Sequence, residues 1–143
     1  MRRLRRAAAG VALCLAVVVS AVGCVHYPSV EDIGGTRIQP ENGRLVRRSD
    51  GADFYVKLNS VGKYGDRLLG VTTPVAKRTQ VVSESGSPVE YLDVPGASVT
   101  SFRPNGPHVT LSELTRELTP GEVVIVTLLF QKAGGIGVVS VVE

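Results

Sequence analysis

The chain has 143 residues, a formal net charge of +3, 43% hydrophobic residues and two cysteines. This length allows one domain with an ordinary core and gives no reason to expect a second. Both cysteines, Cys14 and Cys24, lie near the N-terminus, so the remainder of the chain must fold without a disulfide bond.

The N-terminus has the order of a secretory signal. Four arginines within residues 1–6 precede an apolar run over residues 7–22, which is shorter than the ~20 residues that a membrane-spanning helix needs. The small residues before Cys24 resemble the lipobox of bacterial lipoproteins, whose cysteine receives diacylglycerol and becomes the new N-terminus. We therefore predict a signal peptide over residues 1–23 and a palmitate-type lipid anchor on Cys24. An uncleaved membrane anchor is the alternative.

Removal of the leader changes the charge of the protein. Beyond Cys24 the chain has 12 Lys and Arg against 13 Asp and Glu, a net charge of −1. The basic isoelectric point therefore belongs mostly to the leader and indicates no nucleic-acid partner. The predicted location is extracytoplasmic, at the bacterial cell membrane, with membrane lipid as the partner of Cys24.

The next segment, residues 24–42, contains scattered Pro and Gly and no sustained period, which is typical of a tether that could end in a first edge strand. From residue 43 onward, short β-branched runs alternate with Gly, Pro, Asn and Ser. They predict strands at residues 44–48, 54–58, 67–73, 79–83, 99–102, 109–114, 123–130 and 137–142. This spacing predicts a single antiparallel β-sandwich over residues 43–143, an all-β fold.

Two of the predicted elements need separate arguments. Residues 123–130 are apolar at nearly every position, which predicts an inner strand covered on both faces or lying under loops, followed by a turn at Gly134 and Gly135. Residues 111–118 have leucines near helical spacing, but a strand end followed by a loop explains them equally well.

Several landmarks of the second half recur in one order. They are residues 55–59, 66–71, 74–76, 94–96, 102–108 and 127–130. Together they resemble the periplasmic copper chaperone family PCu(A)C, whose members are cupredoxin-like β-sandwiches, related in shape to immunoglobulin-like folds. The resemblance covers roughly residues 44–142.

The resemblance also implies which copper ligands have been lost. Family members bind copper with two histidines and two methionines; here Val82 stands at the first histidine position and Thr110 at the closing methionine. His108 alone remains, and we expect it at the start of a strand directly after a tight turn at residues 105–107. The chain's only methionine is Met1, which leaves with the leader. Since Cu(I) prefers thiolate or thioether ligands, we expect no resident cofactor. Metal binding by His108 stays open as the alternative.

Two functions follow from these observations, neither of them enzymatic, and no catalytic residue is predicted. The resemblance implies a lipid-anchored accessory to copper delivery or to assembly of an envelope cuproenzyme such as cytochrome c oxidase, with a degenerate copper site. The alternative is a metal-free binding or structural module that docks on a membrane protein complex.

Overall fold

The computed structural model describes residues 35–143, which form ten strands. In chain order they are β1 (Ile38–Arg48), β2 (Gly51–Ser60), β3 (Asp66–Thr72), β4 (Ala76–Val82), β5 (Pro88–Val89), β6 (Leu92–Val94), β7 (Ser98–Ser101), β8 (His108–Leu114), β9 (Val123–Phe130) and β10 (Gly134–Val142). Within this part of the chain, no helix is long and apolar enough to cross a membrane.

The strands form one hydrogen-bonded sheet that curls over on itself. Its order is β5-β4-β8-β2-β1-β10-β9-β3-β6, and β7 pairs with β2 outside this path. Thr79 on β4 donates a hydrogen bond of 2.6 Å to the carbonyl of Val71 on β3. These two strands lie near opposite edges of the sheet, so the sheet brings its edges together. The predicted all-β sandwich is thus confirmed.

One strand pair runs parallel, unlike the rest of the sheet. The first described strand, β1, lies beside the last, β10, with Leu45 opposite Val142. Parallel neighbours need a long crossover connection, and here all the intervening strands provide it. This pair joins the N-terminal strand of the described domain to its C-terminal strand.

The core is built from alternate side chains that point into the curled sheet. Phe54, Val56 and Leu58 are buried, as the alternation in β2 predicts. They belong to one cluster with inner residues of other strands, including Leu111 on the neighbouring β8 and Leu128 on β9. The described domain contains no cysteine, so this single apolar interior stabilises it without a disulfide bond.

The structure corrects three details of the sequence analysis. The domain begins earlier than residue 43, because β1 starts at Ile38 and pairs with β2 from there. The last hairpin turns at residues 131–133, whereas Gly134 and Gly135 already lie in β10. The short strands β5 and β6 were not predicted, since two or three residues are too few to show alternation.

A buried carboxylate fastens one end of the sandwich. Asp66, only 5% exposed, accepts backbone N–H groups of Arg67 at 2.8 Å and Lys132 at 2.9 Å on Oδ1, and of Ala133 at 2.8 Å on Oδ2. Both carboxylate oxygens are thereby used. The start of β3 and the β9–β10 turn are joined through this one side chain.

We expect Asp66→Asn to lower the free energy of unfolding by about 1–3 kcal/mol, because an amide nitrogen cannot accept a backbone N–H. Urea unfolding measures the change. The matched control is Asp93→Asn, whose carboxylate is 67% exposed and pairs with Arg67 at 3.0 Å; a surface pair of this kind is worth less than about 1 kcal/mol. Equal losses in the two variants would contradict the role assigned to Asp66.

Candidate functional site

His108 begins β8 and lies half-buried on the outer face of the sheet. The preceding turn positions it: Asn105 has a positive φ of 61°, and the N–H of Gly106 donates to the carbonyl of Arg103 at 3.1 Å. Positive φ is tolerated by Asn better than by most residues. The predicted place of His108, at a strand start after a tight turn, agrees with this geometry.

The ring of His108 has a defined orientation. Its Nδ1 lies 2.8 Å from the carbonyl oxygen of Gly106. A carbonyl can only accept, so Nδ1 carries the hydrogen and the neutral ring has its lone pair on Nε2. His108 can therefore offer one nitrogen ligand, and its Nδ1 partner is a backbone carbonyl rather than the carboxylate of a catalytic triad.

An aromatic and charged cluster adjoins His108 on β1 and β2. The ring of Tyr55 lies 5.9 Å from that of His108, centroid to centroid, and the Arg44 guanidinium lies 5.2 Å from the Tyr55 centroid. The Tyr55 hydroxyl is 3.5 Å from Asp53, which also forms an ion pair with Arg48 at 3.4 Å. These side chains hold one another in place across neighbouring strands.

The surroundings of Tyr55 keep its phenol neutral. Burial raises the pKa of Tyr55 above its ordinary value, and the nearby Asp53 carboxylate raises it further, whereas Arg44 and Arg48 oppose the shift. A neutral phenol is a poor metal ligand compared with a phenolate. Tyr55 therefore contributes shape and apolar contact next to His108 rather than a negative charge.

The structure brings the expected ligand positions together, but the side chains there are unsuited to copper. Val82 lies directly opposite His108 in the β4–β8 pair, and Thr110 lies two residues farther along the same face of β8. Val82 has no donor atom, and a neutral hydroxyl is a hard, weak ligand for Cu(I). Within residues 35–143, no group of three His, Cys, Asp or Glu side chains could hold a metal ion. The residues present do not fit a copper site of the family type.

A second surface, on β9 and β10, was not foreseen from the sequence. β9 is an inner strand as predicted, between β10 and β3, but only one of its faces is covered within the described domain. Its outer side chains pair across the strands, Val123 with Val141 and Ile125 with Val139. Their exposures are 60%, 45%, 56% and 66%, respectively. We call these four residues the apolar face.

The apolar face is a continuous patch on two hydrogen-bonded strands. Val141 lies beside Arg44 in the β1–β10 pair, so the face extends to the edge of the His108 and Tyr55 cluster. Clustered exposed aliphatic side chains mark interaction sites more often than single ones do. The only sequence signal for this surface was the unbroken apolar run of β9, which fits a covered strand equally well.

Two other predictions concern residues outside the described part of the chain. The signal peptide and the lipidated Cys24 lie before residue 35, and they stay predictions. No curated protein matches the sequence significantly.

Solved structures establish the fold. The copper-bound PCuAC domain of PmoF2 superposes with a TM-score of 0.69 at 24% identity, covering 83% of this chain and 98% of that one. The apo PCuAC domain of PmoF1 gives 0.66 at 20% identity, covering 79% and 97%. The solution structure of Cu(I)-bound DR1885 from Deinococcus radiodurans gives 0.63 at 22%, covering 88% and 85%. These likenesses confirm a cupredoxin-like β-sandwich of the PCuAC type.

A family model also matches the sequence over residues 36–142, nearly the whole described domain. Its description reads "Putative lipoprotein LpqE-like". This match covers more than half of the chain and agrees with the fold of the solved structures. The chain belongs to the LpqE-like lipoprotein family and carries a PCuAC-like domain.

Proposed function

We propose that this protein is a lipid-anchored, extracytoplasmic module that docks on a membrane protein complex of the cell envelope. The apolar face carries the proposal, because its four aliphatic side chains are exposed to solvent on two paired strands. A partner that covered these side chains would gain roughly 25 cal/mol for each Å² of apolar area removed from water. In this proposal the module acts by binding rather than by catalysis.

Copper handling is the proposed setting of this docking. Solved domains of the same fold include a copper-bound PmoF2 domain and Cu(I)-bound DR1885. We infer that this chain assists copper delivery to, or assembly of, a cuproenzyme such as cytochrome c oxidase. Because the side chains beside His108 are poor ligands for Cu(I), we infer that the chain does so without binding Cu(I) at the position that PCu(A)C proteins use.

A second candidate function keeps a role for copper at His108. One observation favours it: the hydrogen bond from Nδ1 to Gly106 leaves Nε2 as the available ligand atom, and such outer hydrogen bonds orient metal-binding histidines in general. A single imidazole would bind weakly and would need the partner protein to complete the site.

The docking proposal predicts that a charge on the apolar face abolishes binding to the complex. Ile125→Lys combined with Val139→Glu should fold normally, because both side chains are more than half exposed and opposite charges across a strand pair do not repel, yet should lose copurification with the oxidase after mild detergent extraction. The control is Val99→Lys on β7, since Val99 is 54% exposed and stands outside the apolar face. Undiminished recovery of the complex with the double variant would contradict the proposal.

The copper proposal predicts weak or no Cu(I) binding by the processed chain. In competition with a Cu(I) chelator, the wild type and His108→Ala should behave alike. The Val82→His and Thr110→Met double variant restores the family's donor types beside His108 and should bind about one equivalent. Copper binding that is measurably stronger in the wild type than in His108→Ala would favour the second candidate instead.

The anchor proposal predicts that Cys24→Ser releases the protein from membranes. No other thiol follows the leader, so no second lipidation site can compensate. Metabolic labelling with a palmitate analogue, followed by membrane fractionation, measures both effects. Retention of label and of membrane association in the variant would show that the anchor lies elsewhere.

A further inference from the structure

One end of the sandwich is distinguished by its place in the chain. The first described residue, Gly35, accepts the N–H of Tyr64 at 3.0 Å through its carbonyl. The Tyr64 ring lies against Gly35 so closely that a Cβ there would come within 2.7 Å of it. Lys132 donates from Nζ to the carbonyl of Gly65 at 3.2 Å. We call Gly35, Lys63, Tyr64 and Lys132 the tether end.

The tether end must stay close to the bilayer if Cys24 is lipidated. Ten residues lie between Cys24 and Gly35, and a fully extended chain over these eleven residue-to-residue steps spans at most roughly 40 Å. The strand β1 leads away from this end for another eleven residues, or roughly 35 Å. The connection therefore keeps the tether end nearer to the membrane, on average, than the opposite end of the sheet.

The exposed side chains of the tether end suit an anionic membrane surface. Tyr64 is 51% exposed, and Lys63 Nζ lies 5.3 Å from its ring centroid. Among residues 35–143, neither Lys63 nor Lys132 lies within 4.0 Å of a carboxylate oxygen. The nearby carboxylate of Asp66 is buried and bonded to three backbone N–H groups, so it presents no anion at the surface.

The opposite end of the sandwich differs in its electrostatics. Several charged side chains there are paired: Arg116 with Glu122 at 2.9 Å, and Arg44 with Glu143 at 3.5 Å. Arg48 likewise lies 3.6 Å from Asp50. Paired charges give little net attraction to an anionic surface. Of the three lysines in the described domain that lack a carboxylate partner, Lys63 and Lys132 lie with Tyr64 at the tether end, and Lys77 lies at the opposite end.

We propose that the tether end is a membrane-contacting surface, with Tyr64 at the level of the headgroups and with Lys63 and Lys132 on anionic phospholipids. Tyrosine is enriched at this depth of a bilayer because its ring is apolar and its hydroxyl polar. Lysines near an anionic leaflet are attracted to it. The proposal rests on the proposed lipid anchor, and it adds an orientation to that anchor.

This orientation has a consequence for docking. β9 runs from Val123 toward the turn that carries Lys132, so contact at the tether end directs the strand away from the membrane. The apolar face then points sideways, along the membrane plane. A membrane-embedded partner with an extracytoplasmic portion could reach it there, whereas a domain lying flat would bury the face in lipid.

Tryptophan fluorescence can test the contact, because the chain contains no tryptophan. The chain from Cys24 to Glu143 is coupled through its only thiol to a maleimide lipid in vesicles that contain phosphatidylglycerol, so the test does not depend on lipidation in the cell. Tyr64→Trp should shift to the blue and be quenched by brominated acyl chains. Val123→Trp, roughly 25 Å away along β9, should show neither effect.

A third variant, Val139→Trp, reports on the apolar face. Quenching of this variant equal to that of Tyr64→Trp would mean that the domain lies flat on the lipid and would overturn the proposal. Absence of quenching in Tyr64→Trp would overturn it as well. Neither result bears on the anchor itself, which Cys24→Ser tests separately in cells.

The charge contribution is tested without any anchor. In the processed chain carrying Cys24→Ser, partitioning onto phosphatidylglycerol vesicles should fall about fivefold for each of Lys63→Gln and Lys132→Gln. Lys77→Gln removes the same charge at the start of β4, where β8 ends rather than where the tether joins, and should change partitioning little. Equal effects of all three substitutions would show that only net charge matters.

Discussion

The alternation of side chains along a curled sheet is the constraint on which this domain depends. Each strand has one face toward the interior, where Phe54, Leu111 and Leu128 belong to a single apolar cluster, and one face outside. No disulfide bond or helix contributes to the interior of the described domain. The side chains of the outer face lie outside this apolar cluster, and both the His108 cluster and the apolar face are built there.

This division explains how a copper-type fold can persist without a copper site. The ligand positions lie on the outer face, with Val82 opposite His108, whereas the core residues lie on the inner face of the same strands. Replacing an outer ligand by valine or threonine removes coordination without opening a cavity in the core. The β-sandwich fold can therefore be retained when the metal ligands are lost.

The two outer surfaces are linked by Arg44. It lies over Tyr55 on one side and beside Val141 on the other, and its charge is paired with Glu143. A partner seated on the apolar face would come within reach of the His108 cluster through this residue. If copper passes near His108 at all, its remaining ligands must come from such a partner, because the domain itself supplies no sulfur.

The amino-acid sequence by itself determined the all-β class, eight of the strands and the place of His108 at a strand start. It also shows that no methionine or cysteine follows Cys24, so residues 25–143 contain no soft sulfur ligand. These are local properties, expressed in alternation, turn residues and composition. The resemblance to PCu(A)C proteins added the type of sandwich and placed Val82 and Thr110 in the missing ligand positions.

Tertiary structure alone decided which surfaces are exposed and which strands are neighbours. The apolar run of β9 is compatible with burial on both faces or on one, and only the arrangement of the other strands leaves Ile125 and Val139 in solvent. The parallel pairing of β1 with β10, and the three backbone N–H groups on Asp66, join residues far apart in the chain. Long-range contacts of this kind leave no periodic trace in the sequence, which is why they could not be read from it.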